Sequence, residues 1–197
     1  RNSAGFGLIA QGRIGGTPAA QGQSKYYIVA AYDTDMFQGT AVQHKVGYVK
    51  TAQAAITDLT LGVLNGIFYN ASTTLKPTWA NWYNQPITPA NSEDLTAFVI
   101  DNPFQLFVGS MSALAAQAVY GKTLGLTVTA AGSEINGQSS STLTVGTVSA
   151  TANQWRLIRT AEDPENNDMT AAYTSVIVAH NLNQYLQNTG TAGITWQ

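Results

Sequence analysis

Short runs of β-branched and aromatic residues recur along this chain, and Gly, Ser, Thr, Asn and Pro lie between them. That spacing fits strands and turns rather than the 3.6-residue period of helices. Lys25–Tyr32 is aromatic and β-branched, and Thr40–Val49 alternates with Val42, His44 and Val46 on one face. Leu59–Tyr69 is mostly apolar, with Gly62 and Gly66 where a bulge or close packing would fit. Ala97–Asp101 and Phe104–Gly109 read as strands hinged at Asn102 and Pro103. Leu124–Ala130, Thr142–Ser149, Gln154–Thr160 and Ala172–Leu182 follow, the last with Val176, Val178, His180 and Leu182 on one face. One stretch, Ser112–Tyr120, predicts a helix, with Ser112 as N-cap, four Ala inside and Gly121 as terminator. The expected fold is mainly β, an antiparallel β-sandwich or barrel of about 8–9 strands with one short helix.

Residues 1–24 stand out from this pattern. They carry six Gly, Pro18 and isolated apolar residues, Phe6, Leu8, Ile9 and Ile14, with no regular period. Gly is entropically expensive to order, so the segment reads as an extended N-terminal arm ahead of a single β-rich body, 25–197. Its apolar residues, with Arg1 and Arg13, are the expected anchors on another surface. Residues 70–94 form a second unusual stretch, a polar loop holding Trp79, Trp82 and Tyr83. Such a loop is too long for a simple turn. Buried aromatics often anchor interfaces, so these three are the expected contacts of a homo-oligomer, a dimer or trimer.

Composition narrows the chemistry. At 197 residues the chain can bury roughly two-thirds of its unfolded surface, so a core needs neither metal nor disulfide. Zero Cys excludes a disulfide scaffold, a thiolate nucleophile and a Cys-ligated metal. Charged residues are only 10%, with a net charge of -2, which gives no general attraction to nucleic acid. The basic residues lead: Arg1, Arg13 and Lys25 precede the first acid. No apolar run reaches the ~18 residues of a membrane span, and no signal-peptide pattern opens the chain.

Four patterns bear on catalysis or ligation, and each has a structural reading that fits better. Ala116–Thr123 ends in Gly-Lys-Thr like a phosphate loop, but Ala116 replaces its first glycine. The helix precedes the motif and the strand follows, the reverse of what phosphate binding needs. Glu162–Asp168 offers several oxygen ligands but lacks the EF-hand spacing, so it reads as a solvated acidic loop. Asp33 and Asp35 would share a strand face, yet turn and capping duties are commoner than paired-carboxylate catalysis. His44 and His180 each sit among apolar same-face neighbours. The expectation is no enzyme, no cofactor and no metal.

Several stretches together resemble a family of tailed-bacteriophage virion proteins whose genes commonly sit beside that of the major capsid protein. They are Gly5-Phe6-Gly7, Ala31–Val42, Leu61–Tyr69, Lys76–Tyr83, Phe98–Phe107, the short Ala-rich helix, Gly137–Leu143, Gln154–Asn167 and His180–Tyr185. Their order and spacing cover nearly the whole chain. The resemblance implies a capsid decoration (cement) protein on the outer surface of the virion, present in the host cytoplasm during assembly. Its partners would be the phage major capsid protein and itself, with no nucleic acid and no membrane. Three other readings compete: a lectin-like module that holds glycans on Trp79, Trp82 and Tyr83, a β-sandwich hydrolase using Asp33 and Asp35 or the carboxylates of 162–168, and a tail or connector structural protein.

Overall fold

The computed structural model describes residues 3–15, 22–52, 58–127, 131–150 and 153–186. Within them the chain forms β1 (Ile9–Arg13), β2 (Ser24–Ile28), β3 (Ala41–Lys45), β4 (Tyr48–Thr51), β5 (Gly62–Asn70), β6 (Pro77–Ala80), β7 (Leu95–Ile100), β8 (Gln105–Ser110), β9 (Thr123–Thr127), β10 (Thr142–Ser149), β11 (Trp155–Thr160) and β12 (Ser175–His180). The fold is mainly β, as expected, and its strands make two antiparallel sheets. The first runs β1-β8-β12-β11-β9-β10, and the second runs β2-β7-β5-β3-β4, with β6 also paired to β5.

The second sheet carries apolar side chains on both faces, because successive residues of a strand point opposite ways. Ala41, Val63 and Ile100 enter a core shared with Phe107, Leu124, Trp155, Val176 and Val178 of the first sheet. Their neighbours Val42, Leu64 and Val99 enter another core, with Ile28, Leu61, Ile67, Tyr83 and Leu95. Two-sided burial is why Leu61–Ile67 reads as a nearly continuous apolar run. Gly62 is required there: a Cβ would lie 2.2 Å from the carbonyl oxygen of Ile100.

The two sheets exchange chain directly. β7 belongs to the second sheet and β8 to the first, and the turn between them is tied by the Asn102 side chain, which accepts from the Phe104 amide at 2.9 Å. The residues after β12 cross back. Thr60 and Leu182 pair through their backbones, and the Gln184 carboxamide grips both polar backbone groups of His44, accepting from N–H at 2.8 Å and donating to C=O at 2.9 Å. Tyr185 meets Tyr26, whose hydroxyl also donates to Asp101. Burial first, then these hydrogen bonds, raise the pKa of the Tyr26 phenol.

Three expectations are corrected. Ser112–Tyr120 is not an α-helix: only Gln117–Val119 makes a single 3-10 turn. Tertiary pairing overrides the alanines, since Ser112 N–H donates to Leu143 C=O and the Ser112 hydroxyl accepts from Val145 N–H. Thr40–Val49 is a hairpin rather than one strand, turning at Val46 and Gly47, both at positive φ. The leading segment, where described, is no free arm: β1 pairs with β8, and Leu8 is 2% exposed in the core between the sheets. The glycines that suggested a floppy arm allow close approach instead. A Cβ on Gly5 would fall 2.3 Å from the Ser140 carbonyl oxygen, and Gly7 sits at φ +73 against Gly39.

Candidate docking faces

The six residues assigned to an anchoring arm separate by role. Arg1 lies outside the described residues. Leu8 is consumed by the core, and Phe6 and Arg13 are half-buried. Ile9 and Ile14 remain about half exposed. Register places them: Ile9 pairs with Val108, Ala10 with Phe107 and Gly12 with Leu106, and the extra residue Gln11 makes a bulge. Phe107 points into the core, so Ile9, Leu106 and Val108 point outward. Phe104, also about half exposed, accepts from Ile14 N–H through its carbonyl at 3.0 Å. An aliphatic and aromatic stripe therefore crosses the outer face of the first sheet.

Basic residues border this stripe. Arg156 pairs with Ala179, and Arg159 pairs with Ile177. The Arg156 guanidinium is fixed by donating to the Gly121 carbonyl at 2.7 Å and to Asn181 Oδ1 at 2.8 Å. Among the described residues it has no carboxylate partner, whereas Arg159 meets Glu162 at 3.0 Å. A hollow of about 530 Å³ opens beside the stripe, lined by Phe6, Ile9, Val108, Asp163 and Ser175 among others.

The three residues of the aromatic loop also separate by role. Tyr83 is fully buried and its hydroxyl donates to the Tyr32 carbonyl at 2.7 Å. Trp82 stacks on Phe37 with centroids 4.9 Å apart and planes 7° off parallel. Burial closes Tyr83 to a partner, and Trp82 is half-buried. Trp79 alone stays open, 53% exposed on β6. Its neighbours come from far along the sequence. Trp79 pairs with Phe68, Phe68 with Thr96, and Thr96 with Tyr27, so these four share one face of the second sheet, the face from which Ile100 enters the core between the sheets. Phe98 lies one row away, its ring 4.5 Å from Trp79. No local pattern could have revealed this group, because it depends on which strands pair.

The remaining candidates do structural work. Asp35 accepts from the Gln85 amide at 2.8 Å, and Asp33 from the Thr34 hydroxyl at 3.3 Å. Asp163 accepts from Asn166 Nδ2 and the Glu165 amide, which lower its pKa. Asp168 holds Thr170 through both amide and hydroxyl. Among the described residues no three His, Cys, Asp or Glu side chains group closely enough to hold a metal. Gly121 is a turn glycine at φ +76 that leads into strand β9 rather than into a helix N-terminus that could receive phosphate. His44 lies half-buried beside Tyr26.

His180 is strongly perturbed. Its ring packs 4.5 Å from Trp155 and 5.4 Å from Phe107, and Nδ1 is 3.2 Å from the Thr60 hydroxyl. Burial lowers its pKa to about 3, so the imidazole is neutral at physiological pH. Thr60 and His180 meet as hydroxyl and imidazole, but Thr60 is sealed and His180 nearly so, which keeps substrate away. No helix among the described residues is long and apolar enough to cross a membrane. Compared with protein-family models, curated proteins and solved structures, the chain matches none.

Proposed function

We propose that this chain is a virion structural protein that clads the outside of a phage capsid and bridges neighbouring major capsid proteins. The observation that carries the reading is the outer face of the first sheet. Ile9, Ile14 and Phe104 stand about half in water there, next to half-buried Leu106 and Val108 and the Arg156 guanidinium, which is fixed by two hydrogen bonds and has no carboxylate partner among the described residues. Folding does not require these residues to be apolar. A protein partner would use them. Burying a large apolar side chain contributes roughly 1.5–3 kcal/mol, so covering the open halves of three contributes on the order of 2–4 kcal/mol gross. The strands are already formed, so little backbone order is lost on docking, in contrast to a free arm. Arg156 favours a partner that presents a carboxylate beside its apolar contact.

The sequence resemblance supplies the partner, the major capsid protein encoded alongside. The test is direct. Shells assembled from that capsid protein are mixed with the purified chain and sedimented. Co-sedimentation to a saturating occupancy supports the reading, and no binding at micromolar concentration removes it. A connector or tail role would show instead as binding to those structures and not to closed shells.

A further inference from the structure

We propose that the open aromatic row of the second sheet binds a neutral carbohydrate chain by stacking sugar rings on Tyr27 and Trp79. The inference is independent of the virion reading. It rests on the row Tyr27–Thr96–Phe68–Trp79, fixed by strand register. Tyr27 and Trp79 end the row and are 57% and 53% exposed. Between them lie a half-buried phenyl ring and a threonine hydroxyl. Three strand spacings of about 4.8 Å separate the two open rings, about 14 Å in all, which is about the reach of three linked sugar rings.

The platform is built and rigid rather than loosely exposed. Trp79 rests against Phe98 at 4.5 Å and lies over Gly66, where a Cβ would approach Trp79 Cζ2 to 3.3 Å and the Ala80 carbonyl oxygen to 3.0 Å. A glycine therefore makes room for the indole. Rigid aromatic rings lose little entropy on binding. Amides line the border. Asn65, the extra residue of the β5 bulge, donates to Gln23 Oε1 at 2.7 Å and accepts from Gln38 Nε2 at 3.0 Å.

This chemistry selects its ligand class. A pyranose ring has a face of C–H groups and a rim of hydroxyls. Flat aromatic surface suits the face, and amide and hydroxyl groups suit the rim. Single-stranded nucleic acid also stacks on aromatics, but its backbone calls for several cations. Here Lys25 pairs beside Phe98, and Glu93 stands at the other end, bonded to Asn70.

The test is fluorescence titration of the whole chain with cellohexaose, xylohexaose, mannohexaose and chitohexaose, with a dT20 oligonucleotide as comparison. Trp79→Ala, Trp79→Phe and Tyr27→Ala accompany the native chain, each checked by thermal melting. The expected result is saturable binding of at least one hexasaccharide. It weakens at least tenfold in Trp79→Ala and about threefold or more in Tyr27→Ala, and Trp79→Phe retains part of it. Should Trp79→Ala fail to fold, Tyr27→Ala on the edge strand carries the test. Absence of binding to all four sugars, binding unchanged in Tyr27→Ala or Trp79→Ala, or preference for dT20 would each overturn the proposal.

Discussion

β1 and β12 flank the same strand, β8, and the difference between them separates what the fold uses from what it leaves over. β12 lies inside the sheet, and all six of its residues are buried. Val176 and Val178 enter the core between the sheets, and His180 packs against Trp155 and Phe107. β1 lies at the edge, anchored inward by Leu8 and Ala10 and carrying Ile9 and Ile14 outward. Composition does not distinguish the strands. Position does: an apolar residue in a central strand is accounted for by folding, and one on the outer face of an edge strand is not.

The largest effects should come from the central strand. Ile177→Ala should lose about 2–5 kcal/mol in urea unfolding, in one cooperative transition. Leu8→Ala removes a comparable side chain, but at the edge, and should fall toward about 2 kcal/mol. Hydrogen exchange should then rise mainly at residues 7–14, by local release of the segment. If Leu8→Ala destabilised the chain globally as much as Ile177→Ala, the two strands would be energetically alike and the contrast would fail.

Within β12, acid should act through His180. The His180 pKa is lowered on folding, from the usual 6.5 to about 3. Below the unfolded value the unfolded chain takes up a proton that the folded chain refuses, so stability is full above pH ~6.5 and declines as pH falls toward 3. The slope is roughly 1.4 kcal/mol per pH unit, so about 2 kcal/mol is lost by pH 5. Unfolding of His180→Phe measured at pH 7, 6 and 5 should show that slope removed. The crossing beyond β12 should matter less. Gln184→Ala frees both polar groups of His44 and should cost about 1 kcal/mol, since water can reach this half-buried site. The smallest effect belongs to the edge: Ile14→Asp should change stability by about 0.5 kcal/mol or less.

Much of the fold was legible because a period of two survives in strands such as β2, β7 and β8. Val176, Val178 and His180 share a face as the sequence indicates. What was hidden had competing local signals. The glycines of the leading segment argue equally for mobility and for tight approach, and only the neighbours Ser140 and Gly39 decide. The alanines of Ser112–Tyr120 favour a helix, but pairing with Leu143 and Val145 prevails. Val46 is β-branched and at φ 54, a conformation such residues rarely take, so the hairpin gave no ordinary signal. The aromatic loop misled most. Trp79, Trp82 and Tyr83 are close in sequence but face three different surroundings, and the true neighbours of Trp79 lie on β5 and β7.

The central claim is that the apolar residues the fold leaves over on β1 and β8 are the docking face. The double variant Ile9→Asp with Phe104→Asp addresses it, measured by co-sedimentation with assembled shells and by thermal melting of the free protein. Both side chains are about half exposed, so the double variant should lose about 1 kcal/mol of stability or less. Two carboxylates on the stripe should reduce shell occupancy at least tenfold. A folded double variant that coats shells at the native occupancy would contradict the claim.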